Sequence, residues 1–331
     1  HIFGSYDAEE GRRLIQEYFL LISKKNTKST TAAHIMLTAL IRNWRPSAEF
    51  LILAPTLEVA NNSFHPIRDS IKADEELDSL LHIQPHMRMI THRLTNATVK
   101  VVAADNDTVS GKKASGILID ELWLFGKKHN AENMLREATG GLASRPEGFV
   151  IYLTTQSDEP PAGIYKQKLE YARSVRDGKI EDNQFLPVLY EYPKSMVDAK
   201  AYLDPENFYI TNPNLGASVD EPFLVRQLKM AVEAGGDSLN GFLAKHLNVE
   251  IGMNLRNDRW PGAVFWNECG SDGLTLESLC ERSEIIAVGI DGGGLDDLLG
   301  LAVLGRDELT KKWLLWTKAW AQPSVLDRRK E

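Results

Sequence analysis

With 331 residues, 43% of them hydrophobic, the chain has material for two domains of ordinary size, each with a core. No apolar run approaches the roughly 20 residues that cross a bilayer, and residues 1–5 lack the charged-then-apolar order of a signal peptide, so a cytosolic protein with no membrane partner is expected. The formal net charge of −8 argues against a protein that coats nucleic acid, though not against one that grips it briefly through a local patch.

The first informative stretch is LLISKKNTKSTTA, residues 20–32, where an apolar, strand-like run gives way to a Lys-Ser-Thr that opens a helix-like one. A phosphate-binding loop works by converging backbone N–H groups on an anion at a helix N-terminus, while a lysine adds mobile charge and a hydroxyl holds magnesium. Lys28 and Ser29 are placed for the last two jobs, within a candidate cradle of Lys24, Lys25, Asn26, Thr27, Lys28, Ser29 and Thr30. Ile22 and Thr27 stand where the common motif has glycine. A β-branched residue in a left-handed conformation costs about 1–2 kcal/mol, so Thr27 predicts a tighter loop or weaker nucleotide binding.

From about residue 18 to 190, apolar runs alternate with helix-period stretches, the pattern of a parallel sheet flanked by helices. EFLILAPT (49–56), TVKVVAA (98–104), GILIDE (116–121) and GFVIYLTTQ (148–156) are the predicted strands. TLEVANNSFHPIRDSIKADEELDSLL and NAENMLREATGGL read as helices between them. His82, His86 and His92 flank a polar segment with no companion cysteine or carboxylate pattern, and are expected at the surface.

GILIDELWLF ends a short apolar strand in Asp120 and Glu121. Two adjacent carboxylates at the tip of a buried strand suit a nucleotide site, the first ordering a magnesium shell and the second activating water. On the next strand, Thr154, Thr155 and Gln156 offer groups for a γ-phosphate or its attacking water; an ordinary strand-to-loop transition explains them equally well. Loop lysine, strand Asp-Glu and strand Thr-Thr-Gln, in that order, make a nucleoside triphosphatase of the type with an extra strand between the phosphate loop and the acids.

Residues 1–190 are thus read as the nucleotide-binding core and 191–250, with EPFLVRQLKMAVEAGG and LNGFLAKHLNVEIG around the turn-rich DPENFYITNPNLG, as a small helical subdomain. Residues 251–283 read as a linker that contains Cys269, with Cys280 near its end; the two are expected to be free thiols. In 284–331, EIIAVGID, the glycine turn GGGLDD and LLGLAVLG predict two joined strands, with KKWLLWTKAW as a third.

Together these residues resemble the large terminase subunit of tailed double-stranded DNA bacteriophages. SKKNTKST, LAPTLEVAN, TVSGKKASGILIDE, YLTTQS, TNPNLG and VGIDGGGLDD carry the likeness along nearly the whole chain. The resemblance implies a P-loop ATPase that drives viral double-stranded DNA into a procapsid, with ATP and Mg2+ as cofactors. Lys24 then matches an early basic residue of the loop, Lys28 and Ser29 the lysine and hydroxyl, Asp120 the magnesium acid, Glu121 the catalytic base, and Thr154 to Gln156 the coupling motif. Thr27 departs from the glycine that family members often keep.

The resemblance further implies that 284–331 opens a ribonuclease-H-like nuclease domain whose acids hold two Mg2+ or Mn2+ ions. Asp291 matches the first-strand acid and Asp296 or Asp297 the acid of the following turn, where both also read as plain turn residues. The other acids are expected beyond residue 331, so the chain is expected to hydrolyse ATP without cutting DNA by itself. The implied partners are the small terminase subunit, the portal protein of the procapsid and further copies in a ring, in the host cell cytoplasm. A finger that neutralises the transferring phosphoryl group is Lys24 in cis or Arg145 acting on a neighbouring subunit. A helicase-like translocase and a non-catalytic nucleotide-sensing scaffold are the competing readings.

Overall fold

The predicted strands lie side by side in one sheet, and three of the four, all but the Lys100-bearing TVKVVAA, are apolar on both faces. The computed structural model describes residues 1–103, 114–128, 130–252, 269–271, 273–292 and 299–321. After a small hairpin, β1 (Tyr6–Asp7) with β2 (Arg12–Arg13), the sheet strands are β3 (Glu17–Leu21), β4 (Glu49–Ala54), β5 (Leu81–Gln84), β6 (Met89–His92), β7 (Thr98–Ala103), β8 (Ala114–Asp120), β9 (Phe149–Thr154) and β10 (Phe185–Leu189). Their spatial order is β10-β3-β9-β8-β4-β7-β6-β5, parallel from β10 to β7 and antiparallel at β6 and β5. β9 therefore separates the strand that leads into the lysine loop from the strand that ends in Asp120, as the motif order predicts.

Alternation within each strand feeds two cores. Tyr18, Phe50, Ile52, Leu118, Ile151 and Leu153 face one layer, covered by α1 (Lys28–Ile41) and α2 (Leu57–Lys72). Phe19, Leu51, Leu53, Ile117, Ile119 and Val150 face the other, covered by α4 (Leu122–Phe125), α5 (Ala131–Gly140) and α6 (Gly163–Arg176). A strand buried on both faces reads as a continuous apolar run. Each large side chain so buried contributes about 1.5–3 kcal/mol.

The long helix predicted after β4 is two helices. Ala73 ends α2, and the Asp74 side chain accepts from Leu77 N at 3.0 Å to cap α3 (Glu75–Leu80). The histidine segment that follows is the β5–β6 hairpin. His82 and His86 are exposed, but His92 is buried, which corrects the surface expectation: its Nδ1 accepts from Leu94 N at 3.3 Å and Thr95 N at 3.2 Å, so it shapes the turn.

α4 and α6 meet at glycine: Gly163 has φ +52, and a Cβ there would lie 2.7 Å from the Gly126 carbonyl oxygen. Beyond β10, α7 (Lys194–Asp198), α8 (Glu221–Ala234) and α9 (Gly236–Leu247) gather around a separate apolar cluster that includes Tyr192, Phe208, Leu224 and Leu247. Arg173 of α6 ties both ends of this segment to the sheet, at 2.6 Å from Glu191 and 2.6 Å from Glu250.

By contact, the chain divides into His1–Asn257 and Asp258–Glu331. In the second unit α10 (Leu276–Arg282), started by a reciprocal Thr275–Ser278 cap, lies within the stretch expected as linker. β11 (Ser283–Gly292), β12 (Leu299–Asp307) and β13 (Trp313–Trp320) form an antiparallel meander, with Asp291 opposite Gly300. Cys269 and Cys280 are free and exposed. Among the described residues no helix is long and apolar enough to cross a membrane.

Candidate nucleotide site

Residues 22–27 carry the chain from β3 into α1 and contain no glycine. Two of them are nonetheless left-handed, Lys25 at φ 70 and Thr27 at φ 57, a conformation that costs about 1–2 kcal/mol per residue without glycine. Hydrogen bonds from a distant segment oppose that strain. The buried Asn26 amide donates to Ser23 O, Lys24 O and Asn212 Oδ1 at 3.1, 3.2 and 2.9 Å, and its Oδ1 accepts from Asn214 N at 3.1 Å. The Asn214 amide donates to Asn26 O at 3.2 Å and Thr27 Oγ1 at 3.0 Å, and Ser218 Oγ donates to Lys25 O at 2.8 Å. At about 0.5–1.5 kcal/mol net for each such bond, the clamp is comparable to the strain it holds.

At the start of α1, Lys28 Nζ lies 2.6 Å from Glu121 Oε1, with side chains only 8% and 13% exposed. Trp123 Nε1 donates to the other carboxylate oxygen, Glu121 Oε2, at 2.6 Å. Glu121 is itself left-handed, φ 55, a turn that carries the chain from β8 into α4. Burial pushes its carboxyl up, but the Lys28 charge and the hydrogen bonds from Lys28 and Trp123 outweigh burial and hold it below the usual value; Lys24 adds to the effect. Asp120 goes the other way. Burial and the neighbouring Glu121 charge raise its carboxyl to about 6, against the opposing effects of Lys28 and of hydrogen bonds from Ser29 and the Glu121 backbone. Two adjacent carboxylates are thereby pushed apart in acidity, as acid–base sites require.

Thr154, Thr155 and Gln156, at the tip of β9, are fully buried beside these acids. Thr154 Oγ1 accepts from Trp123 N at 3.1 Å, joining the tips of β8 and β9. Gln156 is held on three sides: its N donates to Asn248 Oδ1 at 3.2 Å, its Oε1 accepts from Tyr165 OH at 2.6 Å, and its carbonyl accepts from Lys245 Nζ at 2.8 Å. The Gln156 Nε2 is buried without a hydrogen-bond partner.

Lys28, Ser29, Asp120, Glu121 and Thr154 therefore converge, and Lys24 acts on Glu121 through its charge. Thr30 is exposed at the start of α1, its carbonyl 2.7 Å from His34 Nδ1. Arg145 precedes β9, which runs parallel to β3, so it sits at the end of the sheet opposite the loop of its own chain. Asp291 is exposed in the second unit, while Asp296 and Asp297 lie outside the described residues. No cluster of three or more His, Cys, Asp or Glu able to hold a metal occurs among the described residues. The Ser29 hydroxyl and the Asp120 carboxylate, hydrogen-bonded to each other, are hard oxygen donors; they fit Mg2+, which takes few protein ligands and completes its shell with water and phosphate.

Sequence reasoning placed Asn26 in the loop but missed Trp123, Lys245 and the asparagines Asn212 and Asn214 that clamp it. Lys245 did leave a signal, a single charge inside the apolar run GFLAKHL. Beside the loop, a cavity of about 620 Å³ is walled by Phe3, Tyr18, Ile35, Leu186 and Tyr190 and reaches Thr27 and Lys28, the setting a flat heterocycle attached to a phosphate chain requires.

A parallel sheet with a lysine loop after one strand, an acid pair on the next but one and a polar strand tip between them is the P-loop nucleoside triphosphatase fold. The profile described as "Terminase large subunit, ATPase domain" matches residues 2–174, and the chain belongs to that family. The crystal structure of the HK97 bacteriophage large terminase resembles it with a TM-score of 0.61 at 20% identity, covering 96% of this chain and 61% of that one. A large terminase from a thermophilic bacteriophage is similar at a TM-score of 0.48 and 12% identity, over 96% and 66% of the two chains. Protein YmfN of Escherichia coli K12 is 22% identical over 160 residues, 48% of this chain and 33% of YmfN. The chain thus spans about three fifths of the HK97 protein, and its match to YmfN covers a third of that protein.

Proposed function

We propose that this protein is the ATP-hydrolysing motor of a phage DNA-packaging machine, moving double-stranded viral DNA into a procapsid. The observation that carries the reading is the Lys28–Glu121 pair, a phosphate-seeking ammonium and a base-positioned carboxylate 2.6 Å apart. In the free protein each neutralises the other. When a triphosphate enters, its oxygens compete for Lys28 and the Glu121 carboxylate loses its main partner. Its basicity then rises at the moment a water needs a proton acceptor. Trp123 keeps hold of Oε2, so Oε1 is the atom left to face that water. Magnesium, held by Ser29 and Asp120, would neutralise charge on the β- and γ-phosphates. Lys24 is the finger proposed in cis, and Thr154 to Gln156 would pass the state of the γ-phosphate on to the helical segment.

The same reading assigns 1–190 as ATPase core, 191–250 as helical subdomain and 284–331 as the start of a nuclease domain. There Asp291, with Asp296 or Asp297, would hold Mg2+ or Mn2+. It also implies the small terminase subunit, the portal and a ring of copies as partners, and the host cytoplasm as the place of action.

Steady ATP turnover stimulated by linear double-stranded DNA tests this. The expected result is turnover that Glu121→Gln abolishes while ATP binding survives. ATP binding with no turnover by the wild-type protein would favour a nucleotide-sensing scaffold instead. Separation of a forked duplex would favour a helicase.

A further inference from the structure

Lys245 is a deeply buried cation of the helical segment, 6% exposed, and it sits in α9 between Ala244 and His246 with Phe242, Leu243 and Leu247 also buried. A lysine in such surroundings is costly unless something specific receives its charge. Here two groups do. Its Nζ donates to the Gln156 carbonyl at 2.8 Å and stands 2.9 Å from the centroid of the Trp123 ring. The contact with Asp158 Oδ1 is long, 3.9 Å, and burial lowers the ammonium to a pKa of about 7. The charged groups around it are Asp158, Glu121, Lys24 and Lys127, the last with its own Nζ 5.2 Å from the Trp123 centroid.

We propose that Lys245 is a positioning residue for hydrolysis, acting on Glu121 through the indole it covers; the inference rests on the hydrolytic reading above. A cation against the π face fixes the ring and withdraws electron density from it. The indole N–H then becomes a stronger donor to Glu121 Oε2, the oxygen Lys28 does not use. Three residues from three elements, α9, α4 and the end of β8, form one line from the helical segment to the base. A second attachment runs beside it, because Lys24 N in the loop donates to the Lys245 carbonyl at 2.8 Å. Loss of the ammonium therefore leaves Glu121 in place but less well aimed.

The test compares Lys245→Met, Lys245→Gln, Lys245→Arg and Trp123→Phe by steady-state ATPase kinetics, with thermal melting to confirm folding. Lys245→Gln keeps a donor for the Gln156 carbonyl and loses the charge, so it carries the test if the methionine variant does not fold. Expected is a kcat reduced about tenfold or more with KM for ATP changed less than about twofold, as for a group that acts in the transition state. Lys245→Arg should recover most of the rate. Lys245→Met combined with Trp123→Phe should be no slower than the slower single variant, because both act along one line. Unchanged kcat, a KM effect alone, no recovery by Lys245→Arg or additive losses in the double variant would each overturn the inference and leave the hydrolytic reading standing. A wild-type protein that binds ATP without turnover would overturn both.

Discussion

Lys28 and Glu121 are separated by most of the sheet in sequence, yet their charged groups meet at 2.6 Å in a setting almost closed to water. Such a pair is a poor source of net stability, because desolvating two charges offsets much of their attraction, but removing one member leaves the other buried and unpaired. That asymmetry distinguishes the partners' roles in the experiments below.

Glu121→Gln removes the charge and keeps the shape, including the acceptor for the Trp123 indole. We expect kcat for ATP to fall by about 10²–10⁴, the usual contribution of a general base, with ATP affinity within a few fold of wild type. Steady-state turnover and calorimetric titration check the two halves separately.

Lys28→Met should weaken ATP binding and also destabilise the free protein, by about 3–5 kcal/mol, because a carboxylate with 13% side-chain exposure loses its counter-charge. Adding Glu121→Gln to Lys28→Met should recover most of that stability without recovering binding. Urea unfolding of the two variants reads the difference; a double variant no more stable than Lys28→Met would count against the pairing.

Asp120 gives a pH dependence of definite sign. Its folded-state pKa of about 6 lies above the value of 3.8 for a free side chain, so the native state holds the extra proton between those limits. Stability from this group is therefore present below about 4, declines as pH rises toward 6, and is fully lost above that. Asp120→Asn should stabilise the nucleotide-free protein by roughly 2–3 kcal/mol at pH 7–8, with the gain vanishing near pH 4. Magnesium-dependent ATP affinity should show the opposite trend in the wild type, weakening as pH falls through 6. Melting curves and nucleotide titrations across that range measure both.

Asn214→Ala removes the side-chain hydrogen bonds to Asn26 O and Thr27 Oγ1 and leaves the bond made by the backbone N–H of residue 214. We expect about 1–2 kcal/mol lost in stability and an ATP affinity about tenfold lower, since the left-handed Lys25 and Thr27 lose their brace. Thr27→Gly in the same background should recover affinity by making φ 57 inexpensive. No recovery would mean that Asn214 acts elsewhere than on loop strain.

The central sheet was legible in the sequence because β4, β8 and β9 are covered on both faces, which leaves uninterrupted apolar runs, and because β7 keeps its valines around a single Lys100. β10 was not, since Pro187 breaks the look of a strand; the proline is accommodated because β10 is an edge that pairs with β3 alone. The break between α2 and α3 hid in a run of acids, where Asp74 both ends one helix and starts another. In the site, Lys28, Ser29, Asp120 and Glu121 could be found because residue type and motif order mark them. The partners Asn212 and Asn214 that clamp Asn26 could not, because an asparagine in a turn-rich stretch has the same local character whether it faces solvent or another loop 188 residues away.

β3 has a neighbour on each side, one supplied by residues 149–154 and the other by residues 185–189. The strand that launches the lysine loop is therefore seated late in synthesis, only once both of those distant segments have left the ribosome. A fragment cut at residue 174, where the family match ends, would present a bare row of β3 amides and carbonyls next to that loop. Bare strand margins recruit other chains, so such a fragment is expected to aggregate where one extended through Leu189 does not.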